Sequence, residues 1–70
     1  MSMIVIDGRY SNITEVTMWL YHNISSTHTS VECGVVGDGW KFILTYVPEY
    51  HWEITIDDED RATEFKLRFL

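Results

Sequence analysis

Between Gly37 and Pro48 runs a segment that suits a β-strand and no helix. Trp40, Phe42, Leu44 and Tyr46 alternate with Lys41, Ile43, Thr45 and Val47, so successive side chains point to opposite faces of a strand. In front of it, Gly37-Asp38-Gly39 predicts a tight hairpin, because both glycines can adopt positive φ without steric cost. Pro48 has no amide hydrogen to give to a ladder and ends the pairing. Upstream, Val31, Cys33 and Val35 alternate with Glu32, Gly34 and Val36. Downstream, Trp52, Ile54 and Ile56 alternate with Glu53, Thr55 and Asp57. The three segments read as an antiparallel meander with Tyr46 and Trp52 close together at the second turn. Trp40, Phe42, Tyr46 and Trp52 are its expected core, and Cys33, alongside Val31 and Val35, is expected to be a small buried hydrophobe.

The remainder supplies one more strand and two helices. Residues 3–7 are rich in β-branched side chains and end at Asp7-Gly8, which predicts a first strand and a turn. Asn12 with Glu15 three residues later predicts a helix start, the Asn12 side chain accepting a free backbone N–H while Glu15 reaches back. Ile13, Val16, Trp19, Leu20 and Ile24 then form one apolar stripe, which Ser25-Ser26-Thr27 closes. At the C-terminal end, Ala62, Phe65 and Phe69 fall at helical spacing. Asp57, Asp58, Glu59 and Asp60 precede them, with Lys66 and Arg68 behind, the order that suits the helix dipole. The reading is a single α+β domain over residues 1–70, a small antiparallel sheet in β-α-β-β-β-α order with helices packed on it. The alternative is a short helix over residues 58–64 followed by an edge strand, a ferredoxin-like order.

Seventy residues suffice for one core, and at that size burial removes only about 60% of the unfolded surface, so stability needs large side chains. The chain has them: 46% of its residues are hydrophobic and three are tryptophans. The single cysteine rules out an internal disulfide and any multi-thiolate zinc site. No charged-then-apolar leader opens the sequence, and no apolar run approaches the roughly 18 residues of a membrane helix, so a cytoplasmic protein with no membrane partner is expected. Eleven acids against five bases give a net charge of −6, which opposes direct binding to phosphate backbones and favours a basic protein partner.

No arrangement of residues carries catalysis. The acids at 57–60 lack the alternate spacing, central glycine and distal glutamate of a calcium loop, and no base or nucleophile accompanies them. His22, His28, His51 and Cys33 show no short ligand spacing. No catalytic residue, metal or cofactor is therefore expected. The acid run reads first as a helix start and second as a protein-binding patch. Met18, Tyr21 and His22 lie off the main stripe of the first helix and Tyr10 and Tyr50 in loops, and exposed aromatic and methionine side chains are what interfaces enrich. Ile43 and Val47 face outward from their strand, where the last helix or another chain would have to cover them.

No segment, "DDEDRATEFKLRFL" and "GDGWKF" included, carries the motif of a named family. In general character over its whole length the chain resembles the small acidic accessory proteins of tailed bacteriophages, a profile shared by bacterial housekeeping and toxin-antitoxin proteins. That resemblance implies a phage-encoded protein of the host bacterial cytoplasm that binds and disables a host or bacterial-defence protein. On the residues themselves, the expected contact set is Asp57, Asp58, Glu59, Asp60 and Glu64 with Met18 and Tyr21, the acids steering encounter and the apolar groups holding it. Two other readings stand beside it: an acidic nucleic-acid mimic, and a self-associating structural component or homodimer using Ile43, Val47 and an edge strand.

Overall fold

The computed structural model describes residues 2–9 and 12–70; Tyr10 lies outside them. The elements run β1 (Ser2–Asp7), α1 (Ile13–Asn23), β2 (His28–Val31), β3 (Gly34–Gly37), β4 (Trp40–Thr45), β5 (His51–Ile56) and α2 (Glu59–Phe69). The strands form one antiparallel sheet in the order β1-β5-β4-β3-β2. The α+β class and the small antiparallel sheet are as the sequence implies. The extra strand arises because residues 28–37 fold back on themselves. Val31 pairs with Gly34 across Glu32-Cys33, so the expected single strand is a hairpin. Cys33, at the tip of that turn, is exposed rather than buried.

Strand alternation divides the sheet into two unlike faces. Ile4 and Ile6, Ile54 and Ile56, and Trp40 and Phe42 stand on one of them, and both helices pack there: Val16 and Leu20 of α1 and Ala62 and Phe65 of α2 complete the same buried cluster. Trp19 joins the helices, meeting Phe65 edge-on at 5.5 Å and Phe69 at 6.3 Å between ring centroids. Arg68 of α2 pairs with Glu15 of α1. Glu15 is thereby drawn away from the helix start. Asn12 does occupy the N-cap position, but its side chain makes no cap hydrogen bond.

The second helix follows expectation throughout. Asp58 sits in extended conformation as its N-cap, and its carboxylate accepts from the amides of Asp60 at 2.9 Å and Arg61 at 3.4 Å. The helix continues to Phe69, which excludes the helix-then-strand alternative. At the Asp38-Gly39 turn only Gly39 takes positive φ, at 85°. Gly37 is needed for space instead, since a Cβ there would collide with the Trp40 indole. Tyr46 and Val47 lie beyond the end of β4 and are exposed, Tyr46 resting on Tyr50 with centroids 5.1 Å apart. Trp52 instead faces Leu44 in register and stacks on Phe42 at 4.4 Å. The Val47–Pro48 peptide bond is cis.

Candidate functional site

Register brings distant acids together. His28, Gly37, Trp40, Ile56 and Ser2 form one transverse row at one end of the sheet. Beyond it lie the Asp38-Gly39 turn and the start of α2, joined where the Asp57 amide donates to the Gly39 carbonyl at 3.0 Å. Asp38, Asp57, Asp58, Glu59 and Asp60 therefore share one acidic pole, and all five are exposed. Their states differ. Asp58 is committed to the cap, and Glu59 accepts from the Ser2 hydroxyl at 2.6 Å. Among the described residues, the carboxylates of Asp38, Asp57 and Asp60 have no side-chain partner. Glu64 lies along α2 and is held by Arg61, both carboxylate oxygens accepting at 3.0 Å.

An aromatic stack borders this pole. Tyr21 lies on His28 with centroids 4.5 Å apart and against Trp40 at 5.5 Å. The Trp40 indole N–H donates to the Ser25 carbonyl at 3.1 Å, which ties the end of α1 to the sheet and satisfies a buried donor. Tyr21 is consequently half-buried rim of the core and offers an edge, whereas Met18 is exposed. Of the expected contact residues, the structure gathers Asp57, Asp58, Glu59 and Asp60 at the pole and places Tyr21 at the same end of the sheet. Asp38 joins them, a member that sequence order hid: its turn is legible in the chain, but its position beside Asp57 depends on strand pairing.

At the opposite end, a cavity of about 680 Å³ is lined by Val5, Asp7, Arg9, Pro48, Glu49, Tyr50 and His51. Its charges answer one another. Both oxygens of Asp7 accept from Arg9, at 3.1 and 3.2 Å from the guanidinium, which holds the Asp7 carboxyl below its usual range and raises Arg9. The two ring nitrogens of His51 lie 2.9 Å from the Glu53 carboxylate and 2.6 Å from the Glu49 carbonyl. Both neighbours are acceptors, so the ring satisfies both only as an imidazolium. The Glu53 carboxylate foremost, then the Glu49 carbonyl, pushes its pKa up. Alongside these groups the cavity presents Val5, Pro48, Tyr50 and the Glu49 side chain to a visitor.

Among the described residues, no group of three or more His, Cys, Asp or Glu side chains is placed to hold a metal ion. Among them too, no helix is long and apolar enough to cross a membrane. No family model, curated protein or solved structure matches this chain.

Proposed function

We propose that this chain is a protein-binding factor that works by stoichiometric occupancy, its acidic pole seating on a basic surface of a host or bacterial-defence protein. The observation carrying this reading is the convergence of Asp38, Asp57 and Asp60, exposed and without side-chain partners among the described residues, at one end of the sheet. Unpaired carboxylates on one pole focus a negative potential that accelerates encounter with a cationic partner. The exposed Met18 offers apolar surface to add affinity. The charge distribution favours a compact patch over the extended series that nucleic-acid mimicry needs. Asp7, Glu15 and Glu53 are each held elsewhere in a pair with Arg9, Arg68 or His51. The phage setting rests on overall resemblance.

The test begins with capture on the immobilised chain from bacterial lysate, infected and uninfected, and continues with association kinetics on the purified captured protein. Replacing Asp38, Asp57 and Asp60 with Asn leaves the Asp58 cap intact. The expected result is an association rate lowered about tenfold at low salt, with a flatter salt dependence. An unchanged rate and salt slope would remove the acidic pole from the binding mechanism.

A further inference from the structure

The face of the sheet opposite the helices carries Met3, Val5 and Asp7 of β1, His51, Glu53 and Thr55 of β5, Lys41, Ile43 and Thr45 of β4, then Gly34 and Val36 of β3 and Thr29 and Val31 of β2. Its middle is ionic, with Glu53 bound to His51 and Lys41 nearby on the next strand. Packing another sheet over it would strip water from those charges. Its apolar exposure is greatest at the β1 margin, where Met3 is 62% and Val5 54% exposed.

The two edges of the sheet differ. Edge strands normally carry protection against further pairing: short length, lysine, proline, a bulge or polar side chains. β2 has it, being four residues long with His28, Thr29 and Ser30 exposed. β1 has less: its polar residues, Ser2 and Asp7, stand only at its two ends, and no lysine, proline or bulge interrupts it. It is six residues long, pairs with β5 without interruption from Ser2 to Asp7, and contains Met3, Ile4, Val5 and Ile6 in succession.

We propose that β1 is the pairing edge for a second copy of this chain, giving an antiparallel two-fold dimer in which one sheet runs through both copies. Side-chain parity and charge select this occupant. For the two buried faces to remain on one side, residues of like parity must oppose each other. Centring the two-fold on Ile4 sets Met3 against Val5 of the other copy and Ile4 against its own equivalent, whereas centring on Val5 would set Met3 against Asp7. Antiparallel pairing also carries the two acidic poles to opposite ends of the dimer. The Ser2 end of each β1, where the acidic pole lies, then adjoins the Asp7 end of the other, where Arg9 and Asp7 offset one another in an ion pair. A parallel arrangement would bring the acidic poles together, against a charge of −6 on each chain. Two six-residue edges make a contact below the roughly 1,200 Å² of standard interfaces, so the association is reversible.

Sedimentation equilibrium over a wide concentration range tests this directly. The expected result is a reversible shift from the 8.3 kDa chain to twice that mass. The Met3→Lys/Val5→Lys pair, which opposes like charges at two places across the two-fold, should abolish the shift. Met3→Glu/Val5→Lys, which opposes unlike charges at the same places, should retain it. Thr29→Lys/Val31→Lys on β2 should have no effect. A strict monomer at the highest soluble concentration overturns the proposal, as does a dimer that survives Met3→Lys/Val5→Lys or is broken by the β2 substitutions. Amide exchange on the unsubstituted chain guards against variants that fail to fold. The outward amides of β1 must gain protection as concentration rises, and their constant exchange would equally overturn the assignment.

Discussion

The Nε2 of His51 lies 2.9 Å from the Glu53 carboxylate while its Nδ1 lies 2.6 Å from the Glu49 carbonyl, so one imidazolium clasps β5 to the loop that precedes it. Its pKa is raised above the ordinary 6.5, the Glu53 carboxylate being the main cause. Stability from this clasp is complete below the unfolded value and is lost as pH climbs through the raised folded value. The urea midpoint should therefore fall on moving from pH 6.5 into the alkaline range. His51→Gln should remove that slope. An identical midpoint profile for the two proteins would dissolve the clasp.

Asp58 and Asp60 are both exposed acids at the start of α2, yet of the two only Asp58, the N-cap, accepts backbone hydrogen bonds there. Asp58→Ala should cost about 1 kcal/mol in urea unfolding. Asp60→Ala loses only its interaction with the helix dipole, a few tenths of a kcal/mol at ordinary salt. Equal losses for the two would contradict the assignment of the cap.

Phe65 is fully buried and packs in a T-shaped contact with Trp19 of the other helix. Phe65→Ala should destabilise by about 3–5 kcal/mol. That is a large share of the roughly 5–15 kcal/mol typical of a domain. Calorimetry should show a strongly lowered Tm or no cooperative transition.

At Gly37 the Trp40 indole occupies the space that a Cβ would need. Gly37→Ala should cost about 1–3 kcal/mol through displacement of that ring. Tryptophan fluorescence, with Trp40 now partly exposed, and the unfolding midpoint should shift together.

Cys33 stands exposed in the Glu32-Cys33 turn, clear of the core. In the native protein it should react with a thiol reagent as completely as in urea. Strong protection of the native thiol would restore the continuous strand that alternation alone suggests.

Much of the architecture was legible in the chain because its signals are local. The Val16, Trp19, Leu20 stripe, the Ala62, Phe65, Phe69 spacing and the alternation from Trp40 onward each repeat with the period of the element they form. Acids ahead of α2 and bases behind it marked its direction, and Asp58 proved to be the cap. Local signals failed where two solutions satisfied the same pattern. Residues 31–36 alternate acceptably as one strand, but folding back at Glu32-Cys33 lets β2 pair with β3. Glu15 had the spacing of a capping residue, but Arg68, distant in sequence, took it. Tyr46 kept the alternation of β4 and still fell outside the strand.

By itself, the order of residues determined where the two helices and the strands β1, β4 and β5 fall, the apolar stripes of the helices, and that the molecule carries excess negative charge. Only the tertiary structure decided that both helices cover the same side of the sheet, that Asp38 joins Asp57 and Asp60, and that β1 is an edge. The reason is physical: periodicity and capping act over a few residues of chain, whereas strand order and the meeting of side chains far apart in sequence follow from how the finished faces bury one another.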